Sequence, residues 1–483
     1  MIVKRLPIRI EPDPTRVILQ FLDLNQESRV NSLLDKVFSL TENEVMLILK
    51  EVLAEFESRH AYIEKPLAGS ENEQSYFRKI LLANFAKIKD HLDKYSKISL
   101  NRKLLIGAYC TKEYSVESAA LFNPSIVPHP VQSDPEALKF IISLRATGEG
   151  HISSIEFRTG TINASSEIIL DEKGDYLITP DKKNNNITKK FIAERVNNLP
   201  GFNPNALASL PDSFKAGELG ALTNKTNTDS FELDVLKDMV NCDYDLEFTH
   251  HVPLSARVIF PSANCEAMGM EDVRFVKFTD QGTSCYYATY TAYDGTSIKS
   301  QLLETTDFVE FKIRSLYGQS VHDKGMALFP RKVNGKYAMI SRQDGENISI
   351  MFSNQLYYWD KSTKLDIPLK YWGFTQTGNC GSPIETAYGW LLITHAVGPL
   401  RKYVLSASLL DLEDPSRVLG TLDEPLMTAN TKEREGYVPN VLYSCGAMIH
   451  NGKLILPYAM SDSATGFATV SMDQLLAKLL KSS

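Results

Sequence analysis

The sequence predicts a mainly β protein, a β-propeller with an α-helical N-terminal region and a helical insertion. Three observations lead there. Apolar residues recur at helical spacing before residue 110, and the period changes from 3.6 to 2 after "FNPSIVPHP", Phe122 to Pro130. Five later segments share one plan, an apolar strand ending in a polar or charged residue. They are "FIISLRA" at Arg145, "YYATYTAYDG" at Asp294, "YAMISR" at Arg342, "GWLLITHA" at His395 and "LILPYAMSD" at Asp462. From Asp294 to Arg342, His395 and Asp462 the successive steps are 48, 53 and 67 residues. Recurrence at roughly 50 residues, with hairpin turns such as "VNGKY" and "HNGKL", is the pattern of propeller blades. The alternative is an irregular β-sandwich, whose polar strand tips would only meet solvent.

In chain order, residues 1–110 read as a helical N-terminal extension. Thr41 and Glu44 form a capping-box pattern, and Val45, Ile48, Leu49, Val52, Leu53 and Phe56 follow at helical spacing. "YFRKILLANFAKIKDHL" and "RKLLIGAYC" continue in that style, which makes about three helices whose stripes read as core. Residues 111–483 read as the propeller domain. The step from Arg145 to Asp294 is too long for one blade. It holds the Asn- and Lys-rich "DKKNNNITKKF" and the helical "FELDVLKDMV", so an insertion at about residues 180–245 is expected. The amphipathic "SMDQLLAKLLKSS" closes the chain as a helix with Ser471 as its N-cap.

The totals exclude some functions. A net charge of −7, from 52 basic and 59 acidic residues, offers no basic footprint for nucleic acid. The six cysteines are scattered without a CxxC pair, which reads as reduced thiols and no metal site. Neither a leader-like apolar stretch nor a run of membrane length is present, so a cytoplasmic protein without a membrane partner is expected.

The chemistry begins at "GMEDVRF". Glu271, Asp272 and Arg274 crowd the mouth of an apolar strand; a solvated turn with a local ion pair would explain them equally well. A ring of the five strand ends would add acids (Asp294, Asp462) and bases (Arg145, Arg342, His395), with Lys324 of "HDKGMALFP" in reach. Several basic groups beside an acid in one funnel suit a phosphate next to a proton donor.

From Phe122 onward the chain resembles glycoside hydrolase family 130, five-bladed propellers comprising β-mannoside phosphorylases and some β-mannosidases. The resemblance rests on "FNPSIV", "SLRATGEG", "GMEDVRF", "YTAYDG", "KGMALFPRKVNGKY", "GSPIETAYGWLLITHAV", "EREGYVPNVLYSCGA" and "YAMSD". "HISSIEFRTG" and the helical N-terminus resemble the family's longer members. Val273 stands where the family usually has proline, a change in the turn. The resemblance implies that Asp272 is the general acid, its pKa raised by enclosure and its proton relayed through a mannose hydroxyl. Arg274 would orient it, and Glu271 would serve sugar hydroxyls or Arg274. Phosphate would be held by Lys324, Arg342 and His395, with Lys324 where arginine is common. Asn123, Arg145 and Asp462 match positions around the nonreducing mannose, and Tyr290 and Asp294 are expected to bind mannose or acceptor. Tyr437 reads as a stacking wall or as packing between blades.

The implied reaction is inverting phosphorolysis of β-linked mannosides to α-mannose 1-phosphate, with inorganic phosphate as co-substrate and no cofactor. The alternative is an inverting exo-β-mannosidase, which needs a second carboxylate as base; Glu385 is the first candidate, against a plain hairpin hydrogen bond. A noncatalytic carbohydrate-binding protein is the reading from another class, disfavoured by an acid held beside an arginine. The N-terminal helices are expected to cover one side of the propeller or to build the interface of a homo-oligomer.

Overall fold

The computed structural model describes residues 3–60, 75–95, 97–174, 176–183, 187–197, 199–208, 210–223, 230–249 and 251–481. It divides into two compact units. One comprises Met1–Pro12, Ala119–Glu172 and Pro180–Ser483; the other comprises Asp13–Ser118 and Lys173–Thr179. The chain is mainly β, and no described helix is long and apolar enough to cross a membrane.

The smaller unit is helical, with four α-helices among its described residues where about three are expected: Glu27–Ser39, Glu42–Phe56, Tyr76–Lys87 and Leu100–Tyr109. The capping box at Thr41 and Glu44 is present, and Ser75 and Ser99 cap two further helices. Val30, Leu34, Val45, Leu105 and Ile106 meet in one core, as their helical spacing requires. Gly107 lets two helices touch: a Cβ there would lie 2.0 Å from the carbonyl oxygen of Leu81. A two-stranded sheet, Val17–Phe21 against Thr111–Ser115, completes the unit.

The larger unit is built of antiparallel meanders. Ala120–Pro128, Leu138–Thr147 and Ser153–Ile162 form the first. Gly269–Asp280, Thr283–Tyr293, Ile298–Thr305 and Glu310–Ser315 form the second. A single parallel bridge, Gly269 to Ser153, joins these two into an 11-stranded sheet. That approach requires glycine, because a Cβ on Gly269 would meet the Ser153 nitrogen at 2.8 Å. The third meander centres on Tyr337–Ser341 and Ser349–Ser353, and the fourth on Gly389–Val397 and Tyr403–Leu410. The fifth pairs Lys453–Met460 with Ala464–Ser471.

Its outer strand is Val3–Ile10, from the other end of the chain, in register Val3 to Val470. Residues 1–12 therefore group with the strands and not with the helices, a placement that reading 1–110 as one extension misses. Local periodicity could not reveal it, because the partner strand lies at the far end of the sequence.

The helices expected between residues 180 and 245 include Lys189–Val196 and Ser230–Cys242. Ile192, Val196, Phe202, Leu236 and Met239 give this segment its own core. Asn184, Asn185 and Asn186 of the Asn-rich stretch lie outside the described residues. The final helix, Met472–Lys481, follows Ser471 directly and buries Leu475 and Leu479.

Candidate active site

Two β-bulges aim the central side chains. In the first meander the register slips between Phe122 and Ser125, in the second between Glu271 and Arg274. Asn123 and Asp272 occupy those bulges with φ of 49° and 54°, left-handed values that asparagine and aspartate tolerate best. The bulge turns both side chains toward each other, and Asn123 Nδ2 donates to Asp272 Oδ1 at 2.6 Å. Ser461 and Asp462 repeat the conformation at a hairpin tip, with φ of 48° and 49°.

A cavity of about 400 Å³ forms around these groups. Of the strand ends expected to converge, Arg145, Arg342, His395 and Asp462 line it, together with Asn123, Glu271, Asp272, Arg274 and Lys324. Arg145 is the hub of the acidic side. Its Nη2 donates to Glu271 Oε1 at 2.8 Å, its Nη1 to Asp272 Oδ1 at 3.3 Å, and its Nε to Ser153 Oγ at 2.9 Å. Arg274 holds the acid from behind: Nη1 donates to the Asp272 carbonyl at 2.7 Å and Nη2 to Tyr443 Oη at 2.7 Å. Lys324 Nζ stands 4.0 Å from Glu271 Oε2.

The second cluster is Arg342 with His395. Arg342 Nε donates to Asp323 Oδ2 at 3.1 Å, which fixes the guanidinium. His395 lies over Tyr443 with ring centres 4.7 Å apart and stacks on Tyr403 at 5.8 Å. Gly378 makes this packing possible, since a Cβ there would meet His395 Cε1 at 2.4 Å and Arg342 Nη1 at 3.3 Å.

Electrostatics correct one expectation. Burial alone would raise the Asp272 pKa, but Arg145, Arg274, Lys324 and the Asn123 hydrogen bond overcome it and hold the carboxyl at about 2. Enclosure was expected to make it a ready acid; without an anion among those cations it is a carboxylate. Asp462 is the group that behaves as expected of a buried acid. Burial and then the neighbouring Asp272 charge raise it to about 6. His395 is lowered to about 3 by burial and by Arg342 and Arg274, so at neutral pH it faces the cavity as a neutral ring and not as a cation.

Two expected sugar contacts fall elsewhere. Strand alternation turns Tyr290 into the sheet interior, where only 2% of it is exposed and its hydroxyl donates to buried Glu266. Asp294 spends its carboxylate on its own turn, accepting from the amides and hydroxyls of Thr296 and Ser297. Glu385 is likewise away from the cavity. It forms a two-pronged pair with Arg331 at 2.6 and 2.7 Å and lines a separate, apolar hollow beside Phe275 and Met448. Tyr437 is 56% exposed and its hydroxyl meets His151 Nδ1 at 3.1 Å.

The cavity also recruits residues that strand-end reasoning missed: Arg401, Tyr403, Tyr443, Gln376 and Asn379. Tyr443 and Asn379 sit beside the conspicuous "SCGA" and "CGSPIE" runs, which was the available signal. Arg401 adopts φ 55° in a tight loop, and nothing in its neighbourhood marks it. Asn379 is 1% exposed with an unpartnered Oδ1, a polar atom free for a ligand. In all, five cationic side chains face three carboxylates here, an excess of two positive charges in a chain of net charge −7.

The family model for glycoside hydrolase family 130, described as beta-1,4-mannooligosaccharide phosphorylase, matches residues 225–481. The match covers more than half of the chain, and the chain belongs to that family. Asn123 and Arg145 precede the matched region. A 1,2-beta-oligomannan phosphorylase of Thermoanaerobacter sp. (strain X514) is 33% identical over 215 residues, 44% of this chain and 71% of that protein. A beta-1,2-mannobiose phosphorylase of Listeria innocua is 27% identical over 240 residues, 48% of this chain and 66% of its own length. Among solved structures, the beta-1,2-mannobiose phosphorylase of Listeria innocua in complex with beta-1,2-mannobiose aligns with a TM-score of 0.47 at 20% identity, covering 75% of this chain and 92% of that one.

Proposed function

We propose that this chain is an inverting β-mannoside phosphorylase, cleaving mannobiose or a longer β-mannoside with inorganic phosphate to give α-mannose 1-phosphate. The observation that carries the reading is the positive excess among the lining residues, with Arg342, paired to Asp323 outside the lining, and His395 clustered apart from the three lining acids. A hydrolase of inverting type needs a carboxylate there to hold water, and among the described lining residues the acids all gather near Arg145. Phosphate needs no such base, being an anion already, but it needs fixed donors.

The five meanders are read as the five blades of a propeller, with strand Val3–Ile10 closing the last. In this arrangement Asn123, Arg145, Glu271 and Asp462 hold the nonreducing mannose, and Asp272 is the general acid. Arg342, Lys324 and His395 hold phosphate on the face of the sugar opposite the leaving group. The low pKa of Asp272 has a mechanistic consequence. Phosphate entering among the cations offsets the field that keeps Asp272 ionised, so Asp272 takes up a proton from solvent as the nucleophile binds. The sugar hydroxyl beside it relays that proton to the departing oxygen.

The test is incubation with β-1,2-, β-1,3- and β-1,4-mannobiose, with and without phosphate, following mannose 1-phosphate and free mannose. Phosphate-dependent mannose 1-phosphate is expected from one or more linkages. Free mannose at an undiminished rate without phosphate would replace this reading by hydrolysis.

A further inference from the structure

Asp462 sits in a left-handed hairpin tip, a conformation that needs outside support. Most of that support comes from one segment, residues 433–441, with the Leu121 amide adding one bond to the Ser463 carbonyl at 3.0 Å. The Ser461 amide donates to the Val441 carbonyl at 2.7 Å, and the Ser461 carbonyl accepts from the Val438 amide at 2.9 Å. Ser461 Oγ donates to the Glu433 carbonyl at 2.7 Å. Gly436 packs so closely that a Cβ on it would lie 2.8 Å from Ser461 Cβ. The segment that grips Asp462 is itself irregular, with no sheet ladder until Leu442.

Its far end is tied by the Tyr403 amide donating to the Asn440 carbonyl at 3.0 Å, and its near end is held by the Glu433 side chain, 4% exposed. Its Oε1 accepts from Arg5 Nε at 2.7 Å and from Tyr458 Oη at 2.7 Å. Its Oε2 accepts from Arg5 Nη2 at 3.0 Å and from the Asn430 amide at 3.0 Å. Arg5 Nη2 also donates to the Thr428 carbonyl at 2.7 Å, just before the segment begins. Arg5 belongs to strand Val3–Ile10 and pairs with Ala468 across the ladder, so its backbone is fixed by the sheet. A two-pronged guanidinium–carboxylate pair, nearly dry on the acid side, sets direction as well as distance.

We propose that Arg5 and Glu433 are positioning residues of the active site, holding segment 430–441 so that Ser461 presents Asp462 to the sugar. The inference rests on the reading of the cavity as a mannoside site. It makes the first strand of the chain part of the substrate-binding apparatus through a contact spanning 428 residues of sequence. Neither residue touches the cavity; both act through the Asp462 hairpin.

The experiment compares full-length wild type, Arg5→Lys, Arg5→Ala and Glu433→Gln with the mannobiose that wild type cleaves. Separate Michaelis constants are measured for mannobiose and for phosphate. Arg5→Ala and Glu433→Gln are expected to raise KM for mannobiose about tenfold while KM for phosphate changes less than about twofold, and Arg5→Lys, which keeps one prong, to fall between. A purely structural pair would lower thermal stability and leave both constants alone, and that result overturns the positioning role. Equal rises in both constants overturn it as well. Should Arg5→Ala fail to fold, Arg5→Lys and Glu433→Gln carry the same test. Wild type without phosphate-dependent turnover would remove the underlying reading instead, so the two failures are distinguishable.

Discussion

Asp272→Asn changes one atom type and keeps the shape of the side chain, so its effects divide cleanly between charge and proton supply. The folded protein holds Asp272 at about 2, against 3.8 for the unperturbed group. A difference of just under two pKa units corresponds to about 2 kcal/mol of native-state stabilisation at neutral pH. The sign follows from the depressed value: the contribution is present above 3.8 and disappears as pH falls through about 2. The amide leaves Arg145, Arg274 and Lys324 facing one another without the carboxylate between them, so the variant is expected to be less stable by that amount at pH 7. The gap to wild type closes toward pH 2–3. Turnover suffers more, because the amide cannot deliver a proton; general acid catalysis contributes roughly 10²–10⁴-fold. Urea denaturation at pH 7 and about pH 2.5, with phosphate-dependent release of mannose 1-phosphate at neutral pH, measures both. A loss of turnover under about tenfold would remove Asp272 from the acid role. A variant as stable as wild type at pH 7 would refute the electrostatic account of its low pKa.

Arg342→Ala is expected to raise KM for phosphate much more than KM for mannoside, and crystals soaked in phosphate should show the anion against at least two of Lys324, Arg342 and His395. Asp462→Asn should separate stability from function in the opposite sense to Asp272→Asn. The folded protein holds Asp462 at about 6, so its ionisation costs stability that grows as pH rises from about 4 to 6 and persists above. Partial solvent access reduces that cost to about 1–3 kcal/mol. The amide should therefore be more stable than wild type at pH 8 and equal to it near pH 4, by thermal melts across that range, while KM for mannoside rises.

The sequence by itself determined the kinds of element and singled out the Glu271–Asp272–Arg274 run that lines the cavity. Helical spacing before residue 110 and alternation after Phe122 are local properties, because each records which side of one element is apolar. The polar strand ends were equally legible, and four of the five meet in one cavity. Asp294 failed because a strand end next to a hairpin can turn its carboxylate back on its own amides at little cost, and no local pattern distinguishes that from facing a channel. Tyr290 failed because alternation sends it inward, where buried Glu266 supplies the partner its hydroxyl requires.

Tertiary structure alone decided the electrostatics. Burial raises both Asp272 and Asp462, which share a left-handed conformation; they part because Arg145, Arg274 and Lys324 overcome burial at the first, while at the second the charge of Asp272 adds to it. Pairing of the first strand with the last was beyond sequence reading for a related reason. A strand's own pattern says that one face is buried but not against which partner, and here the two ends of the chain supply adjacent strands of one sheet, so that Arg5 reaches Glu433.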